Sequence, residues 1–385
     1  MIAYTNYAFD ARVRREAEAL VEDNCSVVCL TPRNGKRRKP YQVHGVWVRE
    51  LRVPKYRGKN PVRYMISYLR FLLQATIACN ALLLRGQLDA AHVHNLPDFL
   101  VFAALLPRIK GKPVVLDIHD SVPETFGTKF ERSSGALFKV LCWEERISAA
   151  LAQRIICVND LQKQALVERG IPAEKIFGSM NVPDHRVFSP KFRRNGSAGS
   201  GFRIIYHGTM ARRLGVDLII QAVARLHDRI PNLQLHLWGD GDDLPEFQRT
   251  ARLLRIDHLV HFNPNGVPFD QLPQHLQLMD VGVVGNRRNP ATDLMLPVKM
   301  LECVALGIPV VAPRLRTIQH YFDEKMVHFY EPENIESLAQ ALIGVAQDRK
   351  AAELRAGRAE SFLQEFGWHH QSSDFLKFYS GLLEG

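Results

Sequence analysis

The sequence holds no Cys-x-x-Cys pair and no cysteine–histidine group at zinc spacing, which excludes zinc-finger and thioredoxin-type chemistry. Its six cysteines sit mostly inside apolar runs and read as buried free thiols. No helix-turn-helix, RNP-type or finger motif accompanies the basic residues, so nucleic acid is not an expected partner. No apolar signal region opens the chain, since MIAYTNYAFDARVRREAEAL turns charged within its first turns, and a cytoplasmic location is expected. The most apolar stretch, NPVRYMISYLRFLLQATIACNALLLRG, is broken by Arg70, Gln74, Thr76 and Asn80 before about 18 clean residues accumulate, so it is not expected to span a bilayer. No repeat or low-complexity tract is present. Neither half follows its first strand with Gly-x-Gly-x-x-Gly, which removes the main support for hydride transfer with a dinucleotide.

What is present is length and a regular alternation. A chain of 385 residues, 46% of them hydrophobic, can build two cores. Short apolar runs (SVVCL, AAHVH, PVVLDIH, RIICV, FRIIYHG, LQLHLWG, LVHFN, VGVVG, IPVVAP) alternate with helical stretches, the pattern of buried parallel strands with crossover helices. The sharpest compositional break is SPKFRRNGSAGSG. It predicts a first domain over 1–190, a linker over 191–201, a second domain over 202–367, and a last helix, 368–385, packing on the first domain. Only Met1–Tyr4 precede the first loop, fewer than the roughly 5 to 6 residues of an ordinary strand, so part of that strand is expected to be missing.

Charge is uneven. Residues 1–195 carry 31 Lys and Arg against 18 Asp and Glu, and the remainder 19 against 22. Residues 33–63 alone hold eleven basic side chains (Arg33, Lys36, Arg37, Arg38, Lys39, Arg49, Arg52, Lys55, Arg57, Lys59, Arg63) and one acid, Glu50. A basic loop followed by an apolar, arginine-bearing helix is the composition of a peripheral membrane anchor, here over residues 33–85. The competing reading is a core helix with a solvated basic loop before it.

Three loops carry candidate chemistry. Gly208, Thr209, Arg212 and Arg213 follow the first strand of the second half, and a glycine turn with arginines before a helix start suits a diphosphate. Gly239 and Gly241 sit in Trp238-Gly239-Asp240-Gly241-Asp242-Asp243, where glycines let backbone approach a ligand. The acids there resemble a metal loop, but no other carboxylates converge on it, and no metal or other cofactor is expected. The most specific stretch runs from Asn289 to Ala312 and includes Asp293, Leu296, Pro297, Lys299 and Glu302. A helix beginning at Pro297 places Lys299 and Glu302 on one face. That carboxylate can accept from both hydroxyls of a ribose, and the ammonium can neutralise phosphate.

Taken in order, DARVRREAEAL, HDSVPETF, KIFGSMNVPDHRVFSP, YHGTMARRLGVDLIIQAV, LHLWGDGDDL and LPVKMLECVALGIPVVAP resemble the family-4 glycosyltransferases, in the subset with a Pro-x-Lys-x-x-Glu donor helix. The resemblance implies a GT-B fold, two Rossmann-like parallel-sheet α/β domains facing each other across a cleft. It implies a retaining, metal-independent enzyme that moves a sugar from a nucleotide-diphosphate sugar, its co-substrate, to a saccharide or lipid-linked hydroxyl. Glu302 matches the second glutamate of the family's Glu, seven residues, Glu motif, which holds the donor ribose. His119 matches the histidine that faces the transferred sugar, and Gly208 with Arg212 and Arg213 falls at the diphosphate clamp.

Departures from the pattern are local. The first glutamate's place is Leu294, with Asp293 one position away, and the usual clamp positions hold Thr209 and Leu214. Arg213, Arg212 and Lys299 are the expected substitutes, while Asp10, Arg12 and Asp120 are weaker candidates for acceptor contact. His92, His94, His207 and His236 read as ordinary satisfied histidines. Two rival readings share the fold: a nucleotide-sugar 2-epimerase, for which no suitable set of acids is seen, and a non-catalytic binding subunit, supported by the missing glutamate.

Overall fold

The computed structural model describes residues 1–33, 39–56, 58, 60–129, 135–192 and 201–384. The chain forms two compact units, Met1–Asn181 with His369–Gly385, and Val182–Trp368. All nine apolar runs named above contain strands.

The first unit holds β1 (Val28–Arg33), β2 (Tyr41–Val43), β3 (Val46–Pro54), β4 (Ala91–His94), β5 (Val114–Ile118), β6 (Arg154–Cys157) and β7 (Ile176–Gly178). Ile2 bridges in parallel to Leu30 of β1 and to Val93 of β4, joining the order β2-β3-β1 to the order β4-β5-β6-β7. The Ile2 N–H donates to His92 and the Leu30 N–H to Met1, both at 2.8 Å. Three residues at the start thus do the pairing of a central strand.

The expected basic loop is in part a hairpin, with β2 and β3 antiparallel around His44 and Gly45. Both turn residues have positive φ, 45° and 82°, as a tight two-residue hairpin requires. Val46, Val48, Leu51 and Val53 are buried, so Arg49 and Arg52 ride on a strand. Lys36, Arg37, Arg38, Arg57 and Lys59 lie outside the described residues.

Two helices matter for function here. Helix α1 (Ala11–Glu22) is capped by the Asp10 carboxylate, which accepts from the Val13 N–H at 3.1 Å. Helix α2 (Pro61–Leu84) starts at Asn60, whose side chain accepts from the N–H groups of Val62 and Arg63. By length and composition Val62–Leu84 is apolar enough to cross a membrane. Phe71, Ala75, Ala78 and Cys79 nevertheless pack one of its faces into the first unit's core.

The second unit holds β8 (Phe202–His207), β9 (Leu233–Trp238), β10 (Val260–Asn263), β11 (Val281–Val283), β12 (Val310–Pro313) and β13 (His328–Tyr330). They form one parallel sheet in the order β10-β9-β8-β11-β12-β13. Numbered from β8 this is the doubly wound order 3-2-1-4-5-6, which places a ligand crevice beyond β8 and β11, where the winding reverses. Helix α3 (Val216–Leu226) follows β8, and α4 (Val298–Ala305) precedes β12. Pro297 is the N-cap of α4, one position before the first-residue place read from the sequence.

The chain passes between units at Asn181/Val182 and not at 190. Val182 and Phe188 are buried in the second unit, with Phe188 edge-on to Phe269 at 5.8 Å, so residues 182–192 are packed chain. Of the expected linker, 193–200 lies outside the described residues. The last helix, α5 (Trp368–Glu384), belongs to the first unit from His369 onward. Gln371 accepts from the Met180 N–H at 2.6 Å, Phe378 stacks on Phe177 at 4.6 Å, and Tyr379 is hydrogen-bonded to His92.

Candidate active site

At the switch point of the second unit, β8 ends on Tyr206 and His207, Gly208 follows it, and α4 brings Lys299 and Glu302 to the same edge. The Lys299 Nζ lies 3.8 Å from the centroid of the Tyr206 ring. It also lies 3.3 Å from where a Cβ on Gly208 would stand, and Gly208 has φ +111°. Part of the lysine stem is exposed, but the ammonium itself is closed to solvent and has no hydrogen-bond partner among the described residues. Burial pushes its pKa down to about 7, Glu302 opposes that shift, and Arg213 adds to it. Arg213 in turn has a buried, unpartnered Nη1. Two cationic groups held without partners beside a bare glycine are costly unless an anion completes them.

Glu302 is 7% exposed, and its Oε2 lies 2.5 Å from the Nε2 of His207, itself buried. The histidine that the sequence offered as an ordinary core residue therefore fixes the carboxylate. A His two residues after the Ile-Ile of a first strand and a Glu on a distant helix share no local pattern, so only the fold reveals the pair. Asn286 was likewise missed. It follows β11, is 1% exposed, and leaves its Oδ1 unpartnered.

Other predicted donor-side residues are placed differently. Arg212 is turned to the surface, 3.4 Å from Glu246, and its N–H donates to Asp243, so it does not join Lys299. The N–H groups of Gly208 and Met210 are not free for a ligand, because they donate to the carbonyls of Trp238 and Asp240. Thr209 is exposed, and its carbonyl accepts from the Tyr206 hydroxyl at 2.7 Å. Gly239 and Gly241 make room for this loop: a Cβ on either would stand 2.1 Å from the Gly208 oxygen or 2.2 Å from the Met210 oxygen. Asp293 accepts from the Arg316 N–H at 3.3 Å, its carbonyl accepts from Thr317, and Leu296 is half-buried before Pro297.

In the first unit His119 stands just beyond β5, its N–H donating to the Asn95 side chain at 3.2 Å. Burial disfavours its charged form, but the Asp117 carboxylate 3.9 Å away prevails and raises its pKa. Asp120 follows, its carbonyl accepting from Asn95 at 2.6 Å. Arg12 is 3% exposed and committed internally: its guanidinium donates to both Asp117 oxygens at 2.7 and 2.9 Å and to the Ser179 carbonyl. That removes it from acceptor contact.

Glu16, His92, His94 and Asp117 bring possible ligand atoms within 4.8 Å of one another. The set does not suit a cation. Arg12 already occupies Asp117 and lies 3.1 Å from Glu16, with Arg15 buried nearby on the same helix face, so a metal would meet like charge. Burial alone would raise the pKa of Asp117, but Arg12 first, and the imidazoles after it, hold it well below the usual carboxylate range. Asp117→Asn should remove the bidentate partner of Arg12, leaving its buried charge to Glu16 alone, and cost about 3 to 5 kcal/mol in urea unfolding.

Two family models match in succession: Glycosyl transferase 4-like domain over residues 10–177 and Glycosyl transferases group 1 over residues 201–348. Among curated relatives, a GDP-mannose-dependent alpha-(1-6)-phosphatidylinositol monomannoside mannosyltransferase of Mycolicibacterium smegmatis is 27% identical over 52% of this chain and 53% of its own. The match thus spans about half the length of that relative. A D-inositol 3-phosphate glycosyltransferase of Paenarthrobacter aurescens is 25% identical over 97% of this chain and 92% of its own. The solved sucrose-phosphate synthase of Thermosynechococcus elongatus superposes with a TM-score of 0.80 at 16% identity, covering 100% of this chain and 99% of that one. The order of the two domains, their parallel sheets and this superposition agree: the chain belongs to the family-4, group 1 glycosyltransferases of the GT-B fold.

Proposed function

We propose that the protein transfers a sugar, with retention of configuration and without a metal, from a nucleotide-diphosphate sugar to a saccharide or lipid-linked hydroxyl. The observation that carries this reading is the pair of unpartnered cations, Lys299 and Arg213, beside Gly208 at the switch point. In this reading they receive the diphosphate, and Glu302, steadied by His207, takes the ribose hydroxyls. The bond between the anomeric carbon and the β-phosphate oxygen breaks, and its electron pair stays on the phosphate. The acceptor oxygen bonds to the same carbon on the face the phosphate vacates, and its proton passes to the leaving phosphate. Charge growing on that phosphate is what fixed cations stabilise, each well-placed donor being worth roughly 2.7 to 4 kcal/mol.

His119 acts here as a protonated imidazole. Because its pKa is raised, transfer should be steady at low pH and fall as pH rises through that value. The Asp117→Asn variant, if it folds, should shift the fall to lower pH. A pH–rate profile flat through the neutral range would remove His119 from this role. The acceptor side extends to a membrane surface through residues 33–85, at the inner face in the cytoplasmic reading. The named substrate of the mycobacterial relative, a phosphatidylinositol monomannoside, is a lipid of that kind.

Thermal shifts with UDP, GDP, ADP and their common sugar conjugates, without divalent metal, test the donor site. One nucleotide should raise the midpoint in the parent and much less in Glu302→Ala; no shift from any of them would sink the reading. Asp293 is tied to Arg316 and Thr317, which leaves the missing first glutamate unreplaced and favours the second reading, a non-catalytic donor-binding subunit. Donor binding with neither hydrolysis nor transfer would select it.

A further inference from the structure

Four arginines of the first unit, Arg33, Arg49, Arg52 and Arg85, line one pocket of about 790 Å³ between β1, β3 and the C-terminal half of α2. None of the four has an ion-pair partner among the described residues. The one acid in the lining, Glu50, is 3.5 Å from the Tyr41 hydroxyl, and its Oε2 is buried without a partner, as is the Nε of Arg33. Gln74 is fixed in the wall, accepting from the Arg52 N–H at 2.7 Å. A concavity with three more positive than negative side chains suits a phosphate, which guanidinium groups bind in a bidentate fork.

The pocket opens onto an apolar face. Val62, Met65, Ile66, Leu69, Leu73 and Ile77 recur at helical spacing along α2, between 44% and 64% exposed, opposite the face that packs in the core. Ile77 belongs to both, lining the pocket and ending this run. An unpartnered apolar stripe that runs into unpaired arginines has the charge complement of an anionic bilayer and not of another protein core.

We infer that this pocket binds the phosphate of an anionic phospholipid while the α2 stripe lies in the bilayer interface. The inference rests on the membrane reading of residues 33–85 and adds the headgroup site and the inserting face. The helix then lies in the membrane plane, its polar flank and the strand arginines level with the lipid phosphates. Arg52 and Arg85 are exposed, so their loss leaves the core intact.

Flotation of the full chain with phosphatidylcholine vesicles, with and without phosphatidylglycerol, tests this. The parent should bind the anionic vesicles far better than the neutral ones. Arg52→Gln with Arg85→Gln should weaken that binding about 30-fold, at about 1 kcal/mol for each basic residue. Leu69→Ser with Leu73→Ser should weaken it comparably, and both variants should keep the parent melting temperature and transfer to a soluble saccharide acceptor. If the leucine pair loses binding but the arginine pair keeps it, the membrane reading stands and the headgroup pocket is overturned. No binding by the parent overturns both. Vesicle binding by the parent should survive millimolar inorganic phosphate; if phosphate abolishes it, the pocket is a soluble-anion site and the inference fails.

Discussion

Replacing Lys299 with methionine should raise the melting temperature of the ligand-free protein and, in the same variant, weaken donor binding and transfer about 100-fold. The two effects have one cause. The ammonium is closed to solvent with no hydrogen-bond partner among the described residues, and removing a buried unsatisfied donor returns roughly 1 to 3 kcal/mol of stability. Methionine keeps the length of the stem that crosses the Tyr206 ring, so little packing is lost. What disappears is the charge that only a bound diphosphate would satisfy. A variant that lost stability together with donor binding would instead mark Lys299 as a structural residue.

The same group fixes a pH dependence. With its pKa lowered to about 7 by burial, Lys299 is largely neutral in the free protein above that value, whereas the unfolded chain keeps the proton until near its ordinary 10.5. The unfolded state therefore binds more protons between pH 7 and 10.5, and this group's contribution to stability rises with pH across that window. Donor binding runs the opposite way. A diphosphate draws the proton back onto Lys299, so affinity should fall by up to tenfold per unit above pH 7 until the pKa of the complex is reached. Titration calorimetry in buffers of different ionisation enthalpy should show net proton uptake in the parent and none in the methionine variant.

Much of this architecture was legible in the chain. Central parallel strands are apolar on both faces, so FRIIYH and LQLHLW read as strands without tertiary information. The hairpin at Tyr41–Pro54 was not, because the adjacent Arg49 and Glu50 break the alternation of Val46, Val48, Leu51 and Val53, and His44-Gly45 is not one of the strong turn pairs of a hairpin. β7 and β13 have three residues each, too few to carry a pattern. The unit boundary was misplaced because glycine and serine mark flexible composition, whereas the change of partner is decided by where Val182 and Phe188 bury themselves. At the site, Lys299 and Glu302 were readable from helical spacing and Gly208 from its strand end. Arg212 and Arg213 are adjacent in sequence and differ only in direction, one reaching Glu246 and the other the buried edge, and that depends on the short helical turn Arg212–Leu214 before Gly215.

Glu302→Ala is the second large effect, and His207 makes it interpretable. In the proposed donor site this carboxylate accepts from two ribose hydroxyls; its loss would then remove two charge-assisted hydrogen bonds, each worth about 1.5 to 3 kcal/mol, so donor affinity should drop by at least 100-fold. His207→Phe removes only the group that holds that carboxylate at 2.5 Å. It should cost about tenfold, expressed in KM for the donor more than in kcat. If His207 acts through Glu302 alone, the double variant should be no worse than Glu302→Ala, giving a coupling energy equal to the whole effect of His207→Phe. Additive losses would mean that His207 touches the donor itself. That outcome would move the imidazole from a positioning residue into the donor site, with Asn286 at the end of β11 the next polar group to test.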